Sequence, residues 1–318
     1  MATGNQNQKL DETRWLDPAS LMKLKSLELQ VKLVVEGFLL GLHKSPFHGF
    51  SAEFTEYRPY VEGDDTRYMD WKLYARTDRY YIKKFREETN VRTYFVLDQS
   101  NSMSYSSLEW SKMDYARLLV GSLGYFILKQ RDAVGACRFD SGIQEYLPPA
   151  VRVGQLRKFL KLLHSANPGK QTQLGVSLNG LANLVKAKSK IVMVSDFLGD
   201  LEVLKNELKI LSARGHEISL VQILDPKEIT WNQNESLLLE DMENGKSIFV
   251  NGKMAAQRYQ VKLDSHLAAL QKISSECGLK YNIVSTESPL DQVCYHYVRS
   301  ESGGWLPPKN MESERSVA

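Results

Sequence analysis

Cysteine is scarce in this chain of 318 residues, which contains three. Cys137, Cys277 and Cys294 stand far apart, and no two of them form a Cys-x-x-Cys pair. An odd number of isolated cysteines argues against a disulfide framework and against a zinc site built on thiolates. We therefore expect reduced, partly buried thiols in a cytoplasmic protein.

Long apolar runs are also missing. The first 20 residues contain no apolar segment of the kind that a signal peptide needs. The longest apolar run, residues 118–128, is interrupted by Gly121, Ser122 and Gly124. A helix that spans a bilayer needs roughly 20 apolar residues, so we expect a soluble protein without a membrane span.

An excess of charge of one sign is absent as well. The chain has 41 basic and 38 acidic residues, for a formal net charge of +3. This balance gives no indication of nucleic-acid binding, and the charge-dense stretch 58–92 mixes both signs in the manner of a solvated surface. We find no internal repeat, and the length allows one elaborated domain or two domains.

An alternation of strands and helices is present from residue 91 onward. This pattern predicts an α/β fold with a doubly wound, mostly parallel sheet and an antiparallel edge strand at 142–147. Asn244-Gly245 between two apolar triplets predicts an inserted β-hairpin over 236–251. The other predicted strands are 92–97, 134–139, 190–195, 217–223 and 280–284, and the predicted helices are 110–129, 154–165, 174–186, 200–213, 254–276 and 288–299.

The part before residue 91 reads differently. Asp17-Pro18 predicts the start of an amphipathic helix that runs to about Leu42 and packs its apolar stripe on the protein's own core. Short aromatic segments follow, with a strand at 53–60, a helix at 69–75 and a strand at 80–85. The predicted organisation is a disordered tail (1–16), an N-terminal helix with a small lobe (17–90), the sheet domain (91–300) and a C-terminal tail (301–318).

Hard oxygen ligands cluster at the ends of two predicted strands. Asp98, Ser100 and Ser102 follow one buried strand, and Asp196 follows another. Open α/β sheets bind ligands at the carboxyl ends of their strands. Carboxylate and hydroxyl oxygens suit Mg²⁺ or Mn²⁺, although the first three residues alone could equally form a turn that caps the next helix. Thr172, in a loop before a predicted helix, can present a further hydroxyl to the same cleft.

Together these five residues resemble the metal-ion-dependent adhesion site of von Willebrand factor A domains. The resemblance implies that Ser100, Ser102 and Thr172 supply hydroxyl ligands, while Asp98 and Asp196 act mostly through metal-bound waters. It also implies that a Glu or Asp carboxylate of a partner protein fills the open coordination position. The ion would be Mg²⁺ or Mn²⁺, and calcium stays open.

The segment before the sheet domain resembles the signature of the bacterial family called domain of unknown function 58, which carries a von Willebrand A-like domain directly downstream. Because many relatives begin with a membrane-spanning hairpin and this chain does not, it resembles the short soluble branch. The resemblance implies work with a MoxR-type AAA+ ATPase, or with that ATPase's client, in complex assembly or maturation. The residues that carry it are Gly41–Ser45, Gly49–Phe54, Tyr57–Tyr60, Gly63–Arg67, Asp70–Lys72 and Ala75-Arg76.

Polar residues of this N-terminal segment have a structural interpretation. Arg67 or Arg76 held bidentately by a nearby aspartate would satisfy buried polar groups of a small lobe. The candidate aspartates are Asp64, Asp65 and Asp70.

Enzymatic alternatives lack their motifs. A dehalogenase-type phosphatase needs an acid where Ser100 stands, and residues 175–180 are one residue too long for a G-x-S-x-G elbow. The glycine that begins a P-loop is replaced by His164. We predict no catalytic residue and no bound organic cofactor. Two alternatives stay open: a metal-assisted phosphohydrolase, and a scaffold with a vestigial metal site.

Overall fold

A computed structural model describes residues 17–44, 57–61, 69, 71–83, 92–165, 180–231, 237–240, 247–250 and 252–301. The predicted N-terminal tail (1–16), the predicted C-terminal tail (301–318) apart from Glu301, and the predicted turn Asn244-Gly245 lie outside these residues. The helices are α1 (Pro18–Met22), α2 (Leu27–Lys44), α3 (Trp71–Thr77), α4 (Lys112–Lys129), α5 (Gln155–His164), α6 (Leu201–Ala213), α7 (Pro226–Ile229), α8 (Gly252–Glu276) and α9 (Leu290–Glu301). The strands are β1 (Tyr57–Pro59), β2 (Tyr81–Lys83), β3 (Arg92–Asp98), β4 (Ala133–Phe139), β5 (Ile143–Ala150), β6 (Lys190–Ser195), β7 (Glu217–Leu224), β8 (Leu237–Glu240), β9 (Ser247–Val250) and β10 (Lys280–Ser285).

A six-stranded sheet with the order β10-β7-β6-β3-β4-β5 forms the centre of the fold. All neighbouring strands pair in parallel except β5, which pairs antiparallel with β4. The predicted fold class, a doubly wound and mostly parallel sheet with an antiparallel edge strand, is therefore confirmed. Two smaller antiparallel pairs accompany this sheet, β1 with β2 and β8 with β9. The second pair confirms the predicted hairpin strands on both sides of Asn244.

Each face of the sheet carries its own apolar core, because successive side chains of a strand point to opposite faces. Phe95 and Leu97 of β3 face α2, α4 and α5, whereas Tyr94 and Val96 face α6 and α8. Their burial on both faces explains why β3 reads as a continuous apolar run. The helices after β3 and after β6 thus lie on opposite faces, which opens a crevice between the carboxyl ends of these two strands.

The helix starts follow their capping residues. Ser111 and Asp114 form a reciprocal capping box at α4, and Asp200 accepts hydrogen bonds from the first-turn amides of α6. Both caps lie in the connections that follow strands β3 and β6 at the same edge of the sheet. They therefore help to hold the loops from which the candidate site is built.

The predicted helix from residue 18 to about Leu42 is wrong as a single element, since α1 and α2 are separated by residues 23–26. The side chain of Gln30 donates hydrogen bonds to the carbonyl oxygens of Leu21 and Leu24, both at 2.8 Å. This buried amide satisfies carbonyls that a continuous helix would have bonded through its own backbone. The predicted apolar stripe is nevertheless buried in the core, with Val31, Val34 and Phe38 at most 2% exposed.

Residues 180–184 are helical, so the predicted helix 174–186 is confirmed only over that part and ends two residues early. Its remainder before residue 180 lies outside the described residues. The predicted domain boundaries stay predictions.

Candidate functional site

Aspartates stand at the carboxyl ends of four neighbouring parallel strands. Asp98 is the last residue of β3, and Asp140, Asp196 and Asp225 directly follow β4, β6 and β7. Because the strands run in parallel, all four residues lie at the same edge of the sheet. The crevice between β3 and β6 thus lies between Asp98 and Asp196.

Asp98 is a buried carboxylate with 1% of its surface exposed. One carboxylate oxygen accepts a hydrogen bond from the amide of Ser100 at 2.8 Å, and the other accepts one from the hydroxyl of Ser195 at 2.6 Å. Burial, followed by the negative charge of Asp196, raises the pKa of Asp98 to about 7. Because both carboxylates are buried and close together, additional positive charge between them would be stabilising.

The two predicted serine ligands lie together beside Asp98. Their hydroxyl oxygens are 3.0 Å apart, and Ser100 is completely buried. A short 3₁₀ turn (Asn101–Ser104) carries Ser102 and is anchored in the core by Met103. The local turn therefore points both hydroxyls of the motif at one place, as the sequence predicted.

Thr172 lies outside the described residues, so its position relative to the serines stays a prediction. The chain leading to it is tied to the Asp98 motif at Ser165. The Arg138 guanidinium donates to the carbonyl oxygen of Ser165 at 3.0 Å and to the side-chain oxygen of Gln99 at 2.7 Å. Ser165, the last described residue before Thr172, is thus linked through Arg138 to the residue that follows Asp98.

Asp196 forms an ion pair with a lysine of the same chain, Lys112. The ammonium group of Lys112 donates to one carboxylate oxygen at 2.8 Å, and the other oxygen accepts the amide of Leu198 at 3.3 Å. Gln222 also donates to the Asp196 carbonyl at 2.6 Å. The strand neighbouring β6 therefore helps to hold this residue at the end of the crevice.

Lys112 is completely buried and has a second partner, the carboxylate of Glu228, at 2.7 Å. Burial alone would lower the pKa of Lys112, but the charges of Asp196 and Glu228 outweigh it and raise this pKa above its ordinary value. The ammonium group also lies 5.9 Å from the centre of the Tyr105 ring. Lys112 is therefore a permanent positive charge at the site.

The turn after β7 completes the surroundings of Lys112. Glu228 accepts the amide of Asp225 at 2.9 Å in the capping box of α7. The Asp225 carboxylate, fully buried, accepts both the amide and the hydroxyl of Ser107. A continuous series of contacts thus joins the loop after Ser102 to the ends of β6 and β7.

Phe197, next to Asp196, has the left-handed backbone angle φ of 50°. A bulky residue in this conformation costs on the order of 1–3 kcal/mol and is found mainly where surrounding contacts enforce it. Here the Phe197 amide donates to the Ser195 hydroxyl at 2.9 Å, and its carbonyl oxygen lies 2.8 Å from a ring nitrogen of His266. The amide and the carbonyl of Phe197 are therefore both held, one by the strand end itself and the other by helix α8.

Sequence reasoning missed four residues of this constellation: Lys112, Ser195, Asp225 and Glu228. Asp225 could have been found, since it follows a strand as Asp98 does and begins a D-x-x-E capping pattern. Lys112 carries no local signal, because nothing in the residues around it shows that its side chain turns inward.

The N-terminal arginine hypothesis stays a prediction, with Arg76 exposed in α3 and the other four residues outside the described part.

The donor set fits a hard divalent cation. Two converging hydroxyls beside buried carboxylates offer oxygen ligands of the kind that Mg²⁺ and Mn²⁺ take, with water completing the coordination. Within the described ranges, no group of three or more His, Cys, Asp or Glu side chains is arranged to hold a metal. The fit therefore depends on the serine hydroxyls as well as on the carboxylates.

The strand order and the polar crevice define the class: a doubly wound α/β protein whose candidate site lies at the topological switch point. The family model "Protein of unknown function DUF58" matches residues 56–268, and the chain belongs to this family. Among its relatives is the uncharacterized protein Rv1480 of Mycobacterium tuberculosis. The two are 27% identical over 234 residues, which cover 72% of this chain and 73% of the relative.

Solved structures similar to this chain include von Willebrand-type and BatB proteins. The conserved hypothetical protein BatB from Bacteroides thetaiotaomicron is 15% identical, with 67% of this chain and 100% of BatB covered and a TM-score of 0.46. The SpRpn10 VWA domain is 12% identical, with 65% of this chain and 94% of that domain covered and a TM-score of 0.41.

All three cysteines are free, with Cys137 and Cys294 buried and Cys277 partly exposed, which confirms the prediction of reduced, partly buried thiols. No helix in the described segments is both long enough and apolar enough to cross a membrane.

Proposed function

We propose that this protein is a protein-interaction module that depends on a divalent cation. Mg²⁺ or Mn²⁺ at the carboxyl edge of the sheet would bind a Glu or Asp carboxylate of a partner protein. The observation that carries this proposal is the meeting of Asp98, Ser100 and Ser102 at the switch point, with the charge of Asp196 close enough to raise the pKa of Asp98.

Each residue has a distinct part in the proposed site. Ser100 and Ser102 would bind the ion through their hydroxyls, with Thr172 as a third hydroxyl ligand. Asp98 and Asp196 would hold the ion's water molecules, and Asp98 also fixes the Ser100 amide. When bound, the ion supplies strong Lewis acidity at an open position, which attracts an anionic side chain.

As partner we propose a MoxR-type AAA+ ATPase or the client of that ATPase, in the assembly or maturation of a complex in the cytoplasm. The support for this partner is membership of the DUF58 family together with the resemblance described above. The carboxylate would come from an exposed Glu or Asp of that partner.

Ser102→Ala tests the metal site, and Ser104→Ala is the matched control. Ser104 lies in the same 3₁₀ turn, but its hydroxyl donates to the carbonyl oxygen of Asn101 at 2.6 Å. We expect Ser102→Ala to weaken Mn²⁺ binding about tenfold or more, because the ion loses a direct ligand, while Ser104→Ala binds as the wild type does. Paramagnetic resonance of free Mn²⁺ and the Mg²⁺-induced rise in Tm would measure this.

Equal binding by both variants, or no binding by the wild type at millimolar Mn²⁺, would contradict the proposed site, and the second result would favour a vestigial scaffold. The same proteins can be assayed with phosphoesters. Magnesium-dependent phosphate release that is lost in Ser102→Ala but kept in Ser104→Ala would instead favour the metal-assisted hydrolase.

A further inference from the structure

Lys112 occupies a position where a lysine is electrostatically unfavourable. It is the first residue of α4, and the amino end of a helix carries partial positive charge that disfavours a cation. Its side chain is nevertheless 0% exposed, so the cost of removing the ammonium from water is also present. The two carboxylates within 2.8 Å compensate for both effects.

These two carboxylates belong to different parts of the edge. Asp196 is a predicted metal-site residue at the end of β6, whereas Glu228 lies on α7 and contacts no predicted ligand in the described structure. A divalent ion near Asp196 would therefore meet an existing positive charge on the same carboxylate. Glu228, on the far side of the ammonium, draws part of that charge away from Asp196.

We propose that Lys112 sets the cation affinity of the site: its ammonium competes with the divalent ion for Asp196 and keeps metal binding weak. This inference rests on the proposed function, since it concerns the same site. Like charges at short distance repel strongly where water is excluded, so the effect of one buried ammonium on an ion of charge two is large. Glu228 moderates the competition by sharing the ammonium.

The proposal predicts whether each substitution strengthens or weakens Mn²⁺ binding. Removing the ammonium in Lys112→Met should strengthen Mn²⁺ binding by about tenfold or more. Glu228→Gln should weaken Mn²⁺ binding, because the ammonium then faces Asp196 alone. A lysine that served only to support the fold would give the opposite sign in the first variant, since its loss would loosen Asp196 and weaken the site.

The experiment is titration of the purified full chain with Mn²⁺ by paramagnetic resonance, with Tm measured in parallel to show that each variant is folded. Lys32→Met is the control, because Lys32 is also paired with a glutamate, Glu28 at 2.7 Å, but is exposed on α2. We expect Lys112→Met to bind Mn²⁺ most tightly and Glu228→Gln to bind it most weakly. The wild type and Lys32→Met should bind it equally, with an affinity between these two.

The outcomes separate this inference from the proposed function. If the wild type binds Mn²⁺ and a folded Lys112→Met binds it equally or less tightly, the proposed role of Lys112 is overturned. The proposed metal site then remains in place. Absence of binding in every protein would overturn both. If Lys112→Met does not fold, Glu228→Gln decides: weaker binding than the wild type supports the competition, and equal or tighter binding overturns it.

Discussion

Buried charge is concentrated at one edge of the sheet. Asp98, Asp196 and Lys112 are each at most 3% exposed, and Glu228 is largely buried beside them. Buried ion pairs often stabilise a fold no better than apolar residues of similar size, because removing charges from water is costly. Such a cluster of buried charges at one edge is therefore the arrangement that the proposed cation site would require.

Lys190 shows the effect of burial at the opposite edge, where β6 begins. Burial lowers the pKa of Lys190 to about 8, although Glu217 attracts the charge. In the unfolded chain this lysine keeps a pKa near 10.5. Between pH 8 and 10.5 the unfolded state therefore binds more protons than the folded state, and stability from this group rises with pH across that window.

We accordingly predict that the free energy of unfolding of the wild type increases relative to that of Lys190→Met as the pH is raised from 8 to 10. Below pH 8 the difference between the two proteins should be constant. Urea denaturation of both proteins at several pH values measures this. Lys188→Met, at an exposed position two residues earlier, is the control, and its free energy of unfolding should follow that of the wild type across the pH range. If the free energy of Lys190→Met also follows that of the wild type, the prediction is refuted.

At the scale of elements, two glycines allow helix α4 to approach its neighbours. A Cβ atom built on Gly121 would lie 2.7 Å from Val31 of α2, and one on Gly124 would lie 2.4 Å from the ring of Phe159 of α5. Phe159 is fully buried and packs edge-on against Phe95 of the sheet, with ring centroids 5.8 Å apart. The position of α4, and with it of Lys112 at its start, therefore depends on the absence of side chains at these glycines.

Gly124→Ala should lower the free energy of unfolding by about 1–3 kcal/mol, because overpacking outweighs the gain in helix propensity. Gly142→Ala is the control, since a Cβ there meets no atom within 4 Å, and we expect a change within about 0.5 kcal/mol. Urea denaturation followed by circular dichroism compares them. Equal stability of Gly124→Ala and wild type would show that Phe159 can move aside.

At the scale of the whole molecule, α2 shares a core with the sheet. Phe38 is 2% exposed and packs edge-on against Phe126 of α4, with ring centroids 5.0 Å apart. Val31 and Val34 are buried in the same cluster as Phe95 of β3. The unfolding of the N-terminal helix and of the sheet should therefore be coupled.

We predict that Phe38→Ala lowers the stability of the whole sheet domain by about 3–5 kcal/mol and leaves a single cooperative transition. Hydrogen exchange of the β3 and β6 amides, together with urea denaturation, measures this. Leu29→Ala is the control: Leu29 is 47% exposed on α2, and its replacement should change the stability little. If the amides of β3 and β6 kept wild-type protection in Phe38→Ala, α2 would belong to a separate folding unit.

Local patterns account for most of the fold and part of the site. Buried strands of β-branched and aromatic residues, with capped helices between them, predicted the sheet and its edge strand within a few residues. The D-x-S-x-S spacing predicted the meeting of Ser100 and Ser102, because two residues in one short turn need no distant partner. The break between α1 and α2 was missed, since it depends on Gln30 reaching back to Leu21.

By itself, the sequence determined the alternation of elements and the hydroxyl and carboxylate oxygens at the ends of β3 and β6, because these follow from spacing along the chain. Only the tertiary structure decided that Lys112 turns inward to Asp196 and Glu228, residues 84 and 116 positions away. The neighbouring residues in the sequence do not determine where the flexible side chain of a lysine points. Its position is set by the charges that the strand order brings to the same edge.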